Sequence, residues 1–79
     1  MDQKIIDDVK RIAFSVLEDE RINSEEDFDM SQAEKMDSVN RVAILVAIEN
    51  EYDFIFKLKE ISSWNTVMEL AAIVETKME

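Results

Sequence analysis

The chain has no cysteine, no histidine, no glycine and no proline. Without cysteine there is no disulfide, no thiolate metal site and no thiol nucleophile. Without histidine, the commonest general base and metal ligand near neutral pH is missing. The lack of glycine rules out a Walker loop and a dinucleotide-binding turn. The lack of proline means that nothing inside the chain forces a helix to break. Long apolar runs are missing too. The longest, Val42 to Ile48, has seven residues, against the roughly 20 that a membrane helix needs. The opening Met1-Asp2-Gln3-Lys4 does not start a signal peptide. A cytoplasmic protein with no membrane insertion is the expectation.

Cations are scarce: 9 Lys and Arg face 19 Asp and Glu, for a net charge of −10. That balance argues against nucleic acid, whose phosphates want Lys and Arg. It favours solubility and partners with basic docking faces. An apolar content of 47% is too high for a disordered chain. Residues 1–79 make one domain, with a modest core; a ~60-residue domain buries only about 60% of its unfolded surface.

What is present is helical periodicity, and the expected fold class is all-α. A first helix runs from about Gln3 to about Asp19, with Ile5, Ile6, Val9, Ile12, Ala13, Val16 and Leu17 on one stripe and Phe14 off its centre. Asp2, Asp7 and Asp8 suit its positive start. A connection from Arg21 to Met36 follows, rich in acids (Glu25, Glu26, Asp27, Asp29, Glu34) and anchored by Phe28, Met30 and Met36. Ser24 with Asp27 reads as the cap of a short turn. The acids do not fit an EF-hand spacing, which also needs glycine, so they read as a solvated loop. Such long connections tend to be functional.

A second long helix starts at Asp37 or Ser38, capped by Asp37, and ends near Tyr52. Its apolar residues go nearly all the way round, which predicts burial on more than one side and a central position. Ala43 and Ala47 share a face and permit close packing or leave room for a guest. The stretch Asp53 to Asn65 predicts a second connection with a short helix near Lys59 to Ser63. Phe54, Phe56, Ile61 and Trp64 pack inward from it. Phe54-Ile55-Phe56 has strand propensity but no second strand to pair with. The last helix, Val67 to Lys77, opens with a Thr66–Glu69 capping box. Val67, Leu70, Ala71, Ile73 and Val74 form its buried stripe. The expected architecture is a small helical bundle: three main helices, a short helix before the last, and a long first loop.

The run Lys35-Met36-Asp37-Ser38-Val39 presents a serine hydroxyl at the first turn of a long apolar helix. No pair of groups looks able to activate it as a nucleophile, so an enzyme is not expected, and no metal site is. An Asp-Ser pair here is also an ordinary helix cap.

In its joint pattern the chain resembles the acyl carrier proteins. That family carries a Gly-x-Asp-Ser-Leu-type motif at the start of its second helix, matched here by Lys35 to Val39. The likeness continues through Ile48-Glu49-Asn50-Glu51-Tyr52, Phe54, Phe56, Ile61, Trp64 and Thr66-Val67, and covers the domain in length and helix order. The resemblance implies that Ser38 carries 4′-phosphopantetheine, with Asp37 as helix cap and as a feature read by a phosphopantetheinyl transferase. It implies an arm whose thiol holds acyl groups as thioesters for acyl-loading and acyl-transferring enzymes. It places Val39, Arg41, Val42, Glu49 and Glu51 on a partner-binding face. It places Val42, Leu45, Val46, Phe56, Ile61, Trp64 and Val67 around an acyl chain, although most of these also read simply as core. A monomer is expected, since a carrier visits several enzymes.

The departures are specific. Lys35 stands where the family has glycine and puts a positive charge near the phosphate. Val39 replaces leucine. Trp64 is bulkier than the usual aliphatic residue. Asn40 and Ala43 stand where fatty-acid carriers are acidic. A thin acidic face weakens docking to general fatty-acid enzymes, which favours a specialised lipid or polyketide carrier. A free-standing aminoacyl or peptidyl carrier and an unmodified helical interaction module are the alternatives.

Overall fold

The structure is a computed structural model that describes residues 1–78. It is all-helical. Four α-helices, α1 (Gln3–Leu17), α2 (Arg21–Ser24), α3 (Ser38–Tyr52) and α4 (Val67–Lys77), are joined by segments that hold 3-10 turns at Met30–Gln32 and Leu58–Glu60. No strand forms among the described residues; an isolated antiparallel bridge links Asp29 to Thr66.

α1 forms because its apolar residues recur with the helical period and its first amides find a cap. Asp2 accepts from the Lys4 amide at 2.9 Å. Ile5, Ile6, Val9, Ile12, Ala13 and Leu17 are buried, while Phe14 and Val16 pack at the edge of the core. The helix stops at Leu17 and not at Asp19. Glu18 turns into the left-handed region (φ 54°, ψ 35°), and its amide closes on the Phe14 carbonyl at 2.8 Å. Asp53 does the same after α3 (φ 60°, ψ 51°). With no glycine in the chain, residues bearing a Cβ make both turns, at a cost of about 1–2 kcal/mol each. Asp53→Gly is therefore expected to raise stability by about 0.5–1 kcal/mol, read as a higher urea midpoint. An unchanged or lower midpoint would mean that the turn stores no strain.

The first connection is shorter in irregular backbone than its sequence predicts. Arg21–Ser24 is a helical turn with Ile22 buried, and Met30–Gln32 is a 3-10 turn with Met30 buried. Ser24 ends α2 and does not cap a turn with Asp27. The acids are used elsewhere. Asp27 accepts from the Met68 amide at 2.8 Å, and Asp29 accepts from the Ser31 amide at 3.0 Å. Two backbone bonds join this connection to the start of α4: Met30 N–H to Asn65 O at 2.8 Å and Val67 N–H to Phe28 O at 3.1 Å. Phe28, Met30, Trp64 and Val67 are all buried beside them.

α1, and not α3, is the hub. It packs against α2, α3 and α4. α3 buries Ile44, Leu45 and Ile48, but Val39, Val42 and Val46 face outward. Its all-round apolar pattern thus reflects one buried side plus one exposed apolar strip. α4 keeps its expected bounds, and the Thr66–Glu69 capping box is formed in both directions, at 3.1 Å and 2.9 Å. The short helix before it is a 3-10 turn at Leu58–Glu60, one residue earlier than expected and shorter.

Candidate functional site

Ser38 is the first residue of α3. Asp37 holds it there in extended backbone (φ −149°, ψ −179°). Its carboxylate accepts from the Asn40 amide at 2.7 Å, and its carbonyl accepts from the Arg41 amide at 2.9 Å. The Asn40 side-chain amide donates back to the Lys35 carbonyl at 2.7 Å and so fixes the run before the helix. Ser38 is exposed, and its hydroxyl has no hydrogen-bond partner among the described residues. The amides of Ser38 and Val39 likewise have no acceptor among them. The arrangement sets a free oxygen beside two unused donors at the positive end of a helix, a setting suited to an anion. The Asp37 carboxylate accepts from the Asn40 amide in the cap.

Lys35 does not lend its charge to this site: its ammonium pairs with Glu18 at the end of α1. The expected partner face is also divided. Val39 and Val42 are exposed. Arg41 turns inward, donating to the Trp64 carbonyl at 2.8 Å, the Ile61 carbonyl at 3.3 Å and Asn65 Oδ1 at 3.0 Å. Its guanidinium lies 4.2 Å over the Trp64 ring. Glu49 accepts from the Phe56 amide at 2.8 Å, and Glu51 pairs with Arg11. Three of the five expected face residues are thus occupied within the fold. Arg41 is the plainest revision, because it ties α3 to the segment before α4. The signal for it was the row Arg41, Leu45, Glu49, at spacing four, in which the charged ends flank a buried leucine.

The expected acyl-lining residues do not surround one space. Leu45, Phe56, Trp64 and Val67 are buried in the core, Ile61 is half-buried, and Val42 and Val46 are on the outside. A depression of about 220 Å³ opens instead at the C-terminal end of α3, lined by Glu49, Asn50, Asp53, Phe54 and Ile55. It shares no residue with the expected lining. Trp64 fills the base of the core, and its indole N–H is buried with no acceptor among the described residues.

Among the described residues, no three acidic side chains are gathered to hold a metal ion. The most connected acid is Asp8, which accepts from Lys4 at 2.7 Å and from the Tyr52 hydroxyl, and so joins α1 to α3. Burial pushes its carboxyl up, but Lys4 and Tyr52 donate to it, and the net position is below the usual carboxylate range. Burial and the Asp8 carboxylate push the Tyr52 phenol well up. Lys77 and the Lys57 amide hold Glu60 low; the Thr66 and Asn65 amides hold Glu69 low. Groups depressed in the folded state stabilise it above their unfolded pKa, and that contribution goes as pH falls through the folded value. The thermal midpoint is expected to hold to about pH 4.5 and then fall steeply on further acidification. A flat profile from there into strong acid would show that these pairs do not matter to folding.

No family model, curated protein or solved structure matches this chain.

Proposed function

We propose that the chain is a carrier protein that bears 4′-phosphopantetheine on Ser38. The observation that carries this reading is the free Ser38 hydroxyl at the exposed start of α3, held by the Asp37 cap with two amides unused beside it. The likeness of Lys35 to Val39 and of the later helices to acyl carrier proteins supports it. Ser38 Oγ would hold the group through a phosphodiester, and the Ser38 and Val39 amides would be available as donors to its phosphate. When bound, the group supplies a terminal thiol that holds an acyl chain as a thioester; the protein itself has no cysteine for that purpose. The role of this chain is to present and be recognised, and a phosphopantetheinyl transferase performs the attachment.

The test is intact mass after incubation with coenzyme A, magnesium and a broad-specificity phosphopantetheinyl transferase, with Ser38→Ala alongside. One added phosphopantetheine on the wild type alone supports the carrier. No addition to folded wild-type protein removes it and leaves the unmodified interaction module, a reading favoured by the outward strip of valines on α3.

The cargo belongs to a specialised lipid or polyketide pathway in this reading. Glu49 and Glu51 are already engaged within the fold, and Asn40 and Ala43 add no charge, so little acid is left to meet the basic face of a general fatty-acid enzyme. Loading by a generic fatty-acid acyl transferase is expected to be weak and to recover with Asn40→Asp plus Ala43→Glu. Efficient loading of the unaltered protein would sink the specialised assignment. Asn40→Asp also deletes the donor to the Lys35 carbonyl and sets a second carboxylate beside Asp37. Ala43→Glu alone is therefore the cleaner arm of the experiment.

A further inference from the structure

The segment after α3 runs back along the helix, and a seam lies between them. Leu45 stands on the α3 side of it, and Phe56, Ile61 and Trp64 stand on the other. Hydrogen bonds hold the seam at both ends. At the end nearer to Ser38, Arg41 crosses it and donates to the Ile61 and Trp64 carbonyls and to Asn65 Oδ1. Its guanidinium covers the Trp64 ring at 4.2 Å. Further along, Glu49 accepts from the Phe56 amide at 2.8 Å. Leu45 lies between these two anchors in the same row of the helix and is buried.

Opening this seam for a hydrocarbon guest is unfavourable at each step. Arg41 would leave the Ile61 and Trp64 carbonyls without their donor and would give up its stack on the indole. Trp64 would then have to vacate the base of the core, where it is fully buried beside Val67 and Leu70 in the same cluster. Methylenes added to a filled core force side chains off their rotamers. The opposite side of α3 is tied to α1, by Lys35 with Glu18 at the start of the helix and by Arg11 with Glu51 and Tyr52 with Asp8 at its end. The depression at Glu49, Asn50, Asp53, Phe54 and Ile55 begins roughly 16 Å along the helix from Ser38. Two carboxylates line it, and hydrocarbon does not repay their loss of water.

We propose that Arg41 and Trp64 keep hydrocarbon out of the interior and thereby set the cargo, a short, polar acyl group that stays in water at the end of the arm. The proposal rests on the carrier reading of Ser38. A long alkyl chain refused by the core would remain exposed, which is unfavourable in proportion to its apolar area. A short acyl group with a hydroxyl or amino substituent has little such area and needs no shelter. Arg41 and Trp64 act on specificity here and take no part in attachment of the arm.

The test loads the full ¹⁵N-labelled chain from acetyl-, 3-hydroxybutyryl- and octanoyl-coenzyme A with magnesium and a broad-specificity phosphopantetheinyl transferase. Intact mass reports attachment. No attachment to folded protein removes the carrier reading and this proposal with it. Once loaded, the three forms are expected to share one melting temperature, one set of amide positions for Leu45, Phe56 and Val67, and one rate of thioester cleavage by hydroxylamine. Trp64 is the single tryptophan, so its indole resonance reports on the core directly and should not move. Attachment followed by a different result overturns the proposal and leaves the carrier. That result is an octanoyl group that shifts the indole and the buried amides, shields the thioester, or raises the midpoint by about 4 °C or more over the acetyl form. Trp64→Leu opens an apolar space of the kind that takes an apolar guest. In that variant the octanoyl form is expected to melt several degrees above the acetyl form, and equal midpoints in folded variant protein would also overturn the proposal. The wild-type comparison decides the matter even where the variant does not fold.

Discussion

Trp64→Ala is expected to lose about 3–5 kcal/mol of stability, a large part of what this chain has. A 79-residue protein carries roughly 4–12 kcal/mol in total, so the variant should be largely unfolded at modest urea concentration. The reason lies in the position of the indole. Trp64 is 1% exposed and is the largest of the fully buried side chains. The Arg41 guanidinium lies over its ring, and the next residue, Asn65, is bonded to the first connection. Trp64→Phe separates packing from polarity. It keeps much of the apolar volume and removes an indole N–H that has no acceptor among the described residues; a buried orphan donor costs about 1–3 kcal/mol. That variant is expected to lose no more than about 1.5 kcal/mol. Urea midpoints read both. A loss under about 1 kcal/mol for the alanine variant would contradict this account of the core.

Arg41→Ala should cost about 2–4 kcal/mol, through three lost hydrogen bonds and a lost stack on Trp64. The Trp64 and Ile61 carbonyls would be left without their donor. Arg41→Lys should recover less than half, because an ammonium cannot reproduce the planar fork that spans two carbonyls and the Asn65 side chain. The rival description puts Arg41 on the partner face. It predicts an alanine variant of wild-type stability with weakened partner binding. Denaturation and binding measured on the same protein distinguish the two.

The starts of α3 and α4 were legible because they rest on local chemistry. Asp37 and Thr66 each satisfy amides within three residues, so α3 and α4 begin where their caps stand. The end of α1 was not legible, since a left-handed glutamate at position 18 breaks the usual preference for glycine. The hub was misassigned for a different reason. Periodicity shows how many sides of a helix are apolar, but not which of them a partner within the fold covers; α3 has enough apolar residues for a central helix and leaves Val39, Val42 and Val46 outside. At the site, Ser38 and Asp37 could be placed from the motif alone. The inward turns of Arg41 and Glu49 depend on the path of residues 53–65, and no local signal sets that path.

The bonds between the first connection and the start of α4 bear on how the chain is made. Phe28, Met30 and Asp27 find their backbone partners at Val67, Asn65 and Met68, nearly forty positions downstream. During synthesis from the N-terminus, α1 and α3 can be complete while Phe28 and Met30 still lack the surface that covers them. The apolar anchors of the connection then stay open to water, and to chaperones, until Asn65 to Met68 have been made. Closure of the core is thereby tied to the arrival of α4, and a chain stopped before Asn65 would expose its most adhesive residues.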